Sequence, residues 1–368
     1  MQVPFFDYKH LFSSDKKNFL KVFEEVGNRG AYIMQDDLST FESEIANYSS
    51  CEYAVGVGNA TDALEMLVQI SDIKKDDEVI ISTHTMIATA SAISANGAIP
   101  VPVECGTDHL IDPESIEQAI NSKTKCIMPT QLNGRTANMD EICRIADEYG
   151  LLIIEDSAQA LGSKYKGRNA GTFGIGGCIS FYPAKVLGCL GDGGIILCND
   201  NNVYEHLVMM RDHGRDPVSG DVLLWGRNSR LDNLQAAFLS YQFQYYEDVV
   251  KRRRDIANIY NNRLDEIQNI SLPPSPVDDN DHYDIYQNYE IEADNRDFLK
   301  DYLYENDIGT LIQWGGKGIH QFKKLGYNVS LPFAENIFER MLLLPMNMSI
   351  ADEDVNYVCD KIKSFYTV

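Results

Sequence analysis

Between residues 52 and 200, short and continuously apolar runs alternate with helix-like segments. The runs are EYAVGV, DEVIIS, KCIMPT, LLIIED, GCISFY and GGIILC, and TDALEMLVQIS, TMIATASAISANG and MDEICRIADEYG lie among them. Strands that are apolar along their whole length are covered on both faces, so the pattern predicts an α/β domain with a mostly parallel sheet. Asn138, with Glu141 three residues on, predicts a helix start, and Gly150 its stop. Residues 229–265 predict one long helix or two in series, ending before the polar PPSPVDDNDHYD. Strand-like YQNYEIEA, helical DFLKDYLYEND and a terminal helix at 351–365 then predict a smaller α+β domain. The expected boundary lies within the helical region, giving domains 1–250 and 251–368. Ligands of such sheets bind outside the carboxyl ends of the strands, so the residues after each run carry the chemical interest.

Composition narrows the function classes. The 368 residues carry a net charge of −23, which argues against a nucleic-acid partner, because phosphate backbones are gripped by clustered Lys and Arg. A small anion would need a local exception to this field. No run approaches the ~18–20 apolar residues of a membrane span, and MQVPFFDYKHLFSSDKKNFL lacks the pattern of a signal peptide. A cytoplasmic protein without a membrane partner is expected. The eight cysteines form no CxxC pair and read as small buried hydrophobes in a reducing compartment. No metal site is expected.

Three segments carry candidate chemistry. In SFYPAKVLGCLGDGG, Lys185 is the only side chain of ordinary charge between Arg168 and Asp192. An arbitrary lysine snorkels its ammonium into water. Held in apolar surroundings instead, its pKa falls and its amine becomes a nucleophile toward carbonyls. Asp156 ends the run LLIIED, where a carboxylate is costly unless paired. It reads as a cap or structural ion pair, or as the partner of a cationic heterocycle whose neighbouring oxygen Gln159 would meet. In GNATDAL, the amides of Ala60, Thr61 and Asp62 and the Thr61 hydroxyl open a helix and can hold a phosphate. The turn is neither a P-loop nor a G-x-G-x-x-G fingerprint. A phosphate cradle, a carboxylate for a pyridine nitrogen and an amine for an aldehyde are together what pyridoxal phosphate needs.

The segments RGAYIMQDDLSTFESEIANY, AVGVGNATDAL, DEVIISTHTMIATASAI, IDPESIEQAINSKTKCIMPTQLNG, IIEDSAQALGSKYKGRNAGTFG, SFYPAKVLGCLGDGG, RDHG and RNSRLDNLQAAFL resemble, in order and spacing, the DegT/DnrJ/StrS family of nucleotide-sugar aminotransferases, which are fold type I pyridoxal-phosphate enzymes. The resemblance implies a large aminotransferase domain with a smaller C-terminal domain. It implies that Lys185 holds the cofactor as a Schiff base and shuttles the proton, passing through a pyridoxamine phosphate form. It pairs Asp156 with the pyridine nitrogen, sets Gln159 by the ring hydroxyl, and gives the phosphate to Ala60, Thr61 and Ser180. Asn228 matches an asparagine that reaches the phosphate of the neighbouring subunit, which implies a homodimer with shared sites. The implied substrates are a nucleotide-linked ketosugar and glutamate, in the making of surface-glycan sugars such as those of lipopolysaccharide O-antigen, or of antibiotic sugars.

The chain departs from the family pattern at several positions. Met86 stands where an aromatic ring commonly stacks on the cofactor, Ala60 where glycine is usual, and Asn133 where an aromatic is often found. IQWGGKGIHQF replaces a proline-containing loop, with His320 one residue out of step. Trp314 is a candidate to stack on a base or sugar, and Lys317 or Arg29 to meet a diphosphate, with Tyr32 a further substrate candidate. Rival readings are a sugar dehydratase, known among relatives that lack the lysine, and a non-catalytic regulatory protein. Lys185, Asp156 and the phosphate turn argue against both, and the missing G-x-G-x-x-G argues against a nicotinamide-dependent dehydrogenase.

Overall fold

The computed structural model describes residues 3–277 and 280–367. Seven strands build the central sheet: β1 (Tyr53–Val57), β2 (Glu78–Ser82), β3 (Ile99–Val103), β4 (Thr124–Met128), β5 (Leu152–Asp156), β6 (Gly176–Ser180) and β7 (Gly194–Cys198). Their order is β1-β7-β6-β5-β4-β2-β3, and β7 alone runs antiparallel to its neighbours. The mostly parallel sheet predicted from the apolar runs is therefore present. β3 was hidden by Pro100 and Pro102, which cannot donate to a ladder; they are tolerated because β3 is an edge strand bonded only to β2.

Burial on both faces explains why the runs lack alternation. On β7, Ile196 packs into one core with Leu64, Leu67 and Ile93, while its neighbours Ile195 and Leu197 enter another with Phe41, Ile45 and Leu239. Full burial of each such side chain stabilises by about 1.5–3 kcal/mol. The helix Met139–Tyr149 starts and stops as predicted: the Asn138 side chain accepts from the Glu141 amide, and Gly150 is left-handed at φ 65°. The 229–265 segment resolves into two helices, Asn233–Phe243 and Tyr246–Leu264.

The second of these helices passes between cores. Tyr246 and Val250 pack with the central sheet, whereas Ile256, Tyr260 and Leu264 pack with the last third of the chain. There β8 (Ile270–Ser271), β9 (Tyr289–Ala293) and β10 (Met341–Leu344) form an antiparallel sheet in that order. The helices Arg296–Glu305 and Asp352–Thr367 complete this α+β unit, and Val3 joins its core. Two positions of the polar PPSPVDDNDHYD segment, 278 and 279, lie outside the described residues. Among the described residues no helix is long and apolar enough to cross a membrane, and all eight cysteines are free.

Candidate active site

The carboxyl ends of β1, β2, β4, β5 and β6, with the start of antiparallel β7, converge on a cavity of about 590 Å³ lined by Ala60, Thr61, Met86, Asp156, Gln159, Ser180, Lys185 and Trp314. That volume lies within the range of small-molecule sites. A smaller cavity around Pro273 and Asp284 holds none of the three predicted chemical elements.

One end of the cavity is built for an anion. Helix Ala60–Ile70 is capped by Asn59, whose side chain accepts from the Asp62 amide at 2.8 Å. The expected donation by Asp62 is thereby corrected, since that proton is already engaged. The amides of Ala60 and Thr61 have no protein acceptor among the described residues, and they stand at the positive end of the helix dipole. Ser229 fixes the turn, accepting from the Gly58 amide at 3.0 Å and donating to Asp62 at 2.6 Å. Gly194 lets β7 pass close behind: a Cβ there would lie 2.6 Å from the Asn59 carbonyl carbon and 2.8 Å from the Ala60 nitrogen. Gly194→Ala is therefore expected to push the turn outward and weaken phosphate-ester binding by about tenfold or more, measured by titration with pyridoxal phosphate.

The floor carries Asp156, 4% exposed. Its Oδ2 accepts from Thr89 Oγ1 at 2.6 Å, and its Oδ1 from the Ala158 amide at 3.2 Å. Thr89 also bonds Thr85 at 2.7 Å, and Thr85 bonds Thr130 at 2.7 Å. A hydroxyl has one proton. With Thr89 donating to the carboxylate, Thr85 must donate to Thr89 and Thr130 to Thr85, so three aligned hydroxyls end on Asp156. Such chains polarise cooperatively. Thr89→Val leaves a buried carboxylate oxygen short of a donor, and a loss of about 1–3 kcal/mol is expected in urea denaturation.

Lys185 sits across from this carboxylate. Burial pulls its amine down to about 8, opposed by the charge of Asp156. Its backbone is held from both sides by Gln287, whose side chain donates to the Ala184 carbonyl at 2.9 Å and accepts from the Val186 amide at 3.0 Å. The Arg253 guanidinium in turn bonds the Gln287 carbonyl at 2.6 Å. Among the described residues, no hydrogen bond or ion pair engages the Lys185 ammonium. The cavity thus offers anion donors, a buried carboxylate and a nucleophilic amine.

Residues 13–363 match the DegT/DnrJ/EryC1/StrS aminotransferase family. The chain belongs to this family. A transaminase of dTDP-3-amino-3,6-dideoxy-alpha-D-galactopyranose from Aneurinibacillus thermoaerophilus is 37% identical over 99% of both chains. A pleiotropic regulatory protein of Geobacillus stearothermophilus is also 37% identical, over 100% of this chain and 99% of its own. The crystal structure of Streptomyces venezuelae DesV in complex with a ketimine intermediate superposes with a TM-score of 0.94, at 34% identity, covering 99% of this chain and 98% of that one. The DegT/DnrJ/EryC1/StrS family is pyridoxal-phosphate-dependent.

Other residues expected at the aminotransferase site lie elsewhere. His320 is 2% exposed, with Nδ1 at 2.6 Å from Thr83 Oγ1 and Nε2 at 3.2 Å from Glu335, and it does not line the cavity. Asn133 is one layer removed, its amide donating to Gln159 Oε1 at 2.8 Å and its side chain to Glu290 at 2.8 Å. It therefore leaves the Gln159 amide nitrogen as the group offered to a ligand. Arg29 is paired with Asp37 at 2.9 Å. Tyr32, Asn228 and Lys317 are exposed and outside the cavity of their own chain.

Sequence reasoning missed the Thr130–Thr85–Thr89 chain, Asn59, Ser229 and Gln287. Only Asn59 had a local signal, an Asn directly before a helix. The others come from segments distant along the chain.

Proposed function

We propose that the aminotransferase moves an amino group from L-glutamate to the keto carbon of a nucleotide-linked deoxysugar, with pyridoxal phosphate as cofactor, in the biosynthesis of deoxyamino sugars for surface glycans such as O-antigen or for antibiotics. The observation that carries this reading is the convergence of the Lys185 amine, the Asp156 carboxylate and the amides of Ala60 and Thr61 on one cavity. The sugar class rests on the names of the relatives.

The residues present fit the cofactor. The amides of Ala60 and Thr61, the Thr61 hydroxyl and Ser180 would take its phosphate, Asp156 its pyridine nitrogen, Gln159 its ring hydroxyl and Lys185 its aldehyde. Met86, 51% exposed in the cavity wall, supplies a thioether face in place of an aromatic ring. When bound, pyridoxal phosphate supplies an electron sink for the carbon that loses its proton. Asp156, carrying the donors of the threonine chain, holds the negative charge that such a sink requires. With the cofactor bound, the Lys185 amine would take the proton from the donor carbon that bears the amino group and return it two atoms along, to the carbon on the far side of the nitrogen, and would run the same transfer in reverse on the ketosugar. Trp314, in the cavity wall, would be a stacking face for base or sugar, and Lys317, exposed outside the cavity three residues on, would meet a diphosphate that extends out of it.

The same reading makes the protein a homodimer in the cytoplasm. Asn228 lies outside its own cavity, and the hairpin leading to it exposes Val222, Leu223 and Trp225, an apolar patch suited to a partner subunit. The domain boundary falls where the helix Tyr246–Leu264 changes cores, between Val250 and Ile256. A regulatory role is the second reading, favoured by the name of the Geobacillus relative. Initial-rate kinetics with glutamate and a dTDP-3-ketosugar decide between them: parallel double-reciprocal lines are expected of two half-reactions on one cofactor, and no turnover at all on any nucleotide ketosugar favours the regulatory reading.

A further inference from the structure

Behind Trp314, outside the cavity of the proposed reaction, His84 is fully buried, with both ring nitrogens lacking a hydrogen-bond partner. An imidazole so placed forgoes the bonds that buried polar groups almost always make. Its Nε2 lies 3.6 Å from Glu290 Oε1, which in turn lies 2.9 Å from His109 Nδ1. One ligating atom from each residue falls within 4.8 Å of the other two. In a tetrahedral zinc site with bonds of about 2.0 Å, ligand atoms stand about 3.3 Å apart, and the two measured separations bracket that value.

We infer that His84 Nε2, His109 Nδ1 and Glu290 Oε1 form a three-ligand site for a divalent transition-metal cation of the zinc type, joining the central sheet to the small antiparallel sheet. The sequence expectation of no metal site is replaced by this reading. The surroundings match what a metal site requires beyond its ligands. His109 Nε2 bonds Glu292 Oε1 at 3.2 Å, which orients the ring for ligation through Nδ1. Glu292 is steadied by Arg340 at 3.4 Å. The second oxygen of Glu290 accepts from Asn133 at 2.8 Å, which leaves Oε1 for the cation. His109 is held at φ 67°, a left-handed conformation uncommon outside glycine and frequent where a side chain is presented for function.

The placement suits a clamp. His84 follows β2, His109 lies in the loop after β3, and Glu290 is on β9, so one cation ties both sheets together. The His84 ring meets Trp314 edge-on at 5.3 Å, and Asn133 links Glu290 to Gln159. A bound cation takes the His109 Nδ1 lone pair that otherwise carries a proton, as metal binding to histidine ordinarily requires.

The test uses tag-free holoenzyme, stripped with chelator and titrated with ZnCl2 and CoCl2. One equivalent of zinc per chain should survive gel filtration and raise Tm by several degrees. Co2+ should give the visible ligand-field bands of a tetrahedral ion with nitrogen and oxygen donors and no thiolate charge-transfer band. Glu290→Gln should bind zinc at least tenfold more weakly. Absence of the Co2+ bands in the wild-type protein, a thiolate signature, or equal zinc binding by Glu290→Gln overturns the inference. Should Glu290→Gln fail to fold, the wild-type stoichiometry and Co2+ spectrum decide alone.

Discussion

Replacing Lys185 with alanine is expected to lower kcat for amino transfer by roughly 10⁴-fold or more, since both proton transfer and covalent capture act through this amine. The fold should survive. The backbone amide of residue 185 still reaches the Tyr182 carbonyl at 2.8 Å, and the Gln287 side chain binds residues 184 and 186 rather than the amine. The pH dependence separates this account from a general loss of structure. Burial lowers the amine to about 8, so the neutral, nucleophilic form is scarce at pH 6 and predominates above pH 8. The rate at which cofactor-free protein captures pyridoxal phosphate, followed by its absorbance change, should climb about tenfold per pH unit up to about 8 and then level off. In the Lys185→Ala protein that limb should vanish while reversible phosphate binding at Ala60 and Thr61 remains.

The second large effect belongs to Asp156. Asp156→Asn preserves volume but removes the negative charge on which three hydroxyls converge, and kcat/KM is expected to fall about 10³-fold, the scale of a lost preorganised electrostatic contact. The direction of the hydrogen bonds sharpens the expectation. Thr89 donates to Oδ2, so an amide that presents its NH2 there forces the Thr89, Thr85 and Thr130 hydroxyls to reverse direction, whereas the flipped amide keeps that bond and turns its NH2 toward the Ala158 amide. Either way the floor is disturbed, by reversal of the chain or by loss of the bond to Ala158. Cofactor affinity and the absorption maximum of the bound cofactor should both change, while Lys185 capture persists at reduced rate. A variant with unaltered spectrum and kinetics would remove Asp156 from the site.

Both residues were legible in the sequence because they end or follow apolar strands, where an isolated charge is conspicuous and where a parallel sheet opens its ligand crevice. The strand-to-helix turn at Ala60 and Thr61 was legible for the same reason, although the sequence did not show that Asn59 already engages the Asp62 amide. The threonine chain was not legible. Its members come from the turn after β2, the helix that follows it and the end of β4, and Thr85, Thr89 and Thr130 acquire meaning only when the sheet order places those segments side by side. The packing of His320 against Thr83 and Glu335 was not legible, because motif spacing records position along a loop, not which side of it is packed. The His84, His109 and Glu290 cluster has no sequence spacing at all, since its third member arrives from the small sheet. The edge strand β3 was masked by prolines whose tolerance depends on having one neighbour only.

Amino transfer from glutamate to the sugar is followed directly with ¹⁵N-labelled glutamate. Protein loaded with pyridoxal phosphate is incubated with labelled glutamate and a panel of dTDP- and UDP-linked 3- and 4-ketosugars, and the products are weighed by mass spectrometry. The expected result is one ¹⁵N atom in a nucleotide aminosugar, formed by the wild-type protein and absent with Lys185→Ala. Retention of all label in glutamate across the whole panel, by protein that has bound the cofactor, would contradict it.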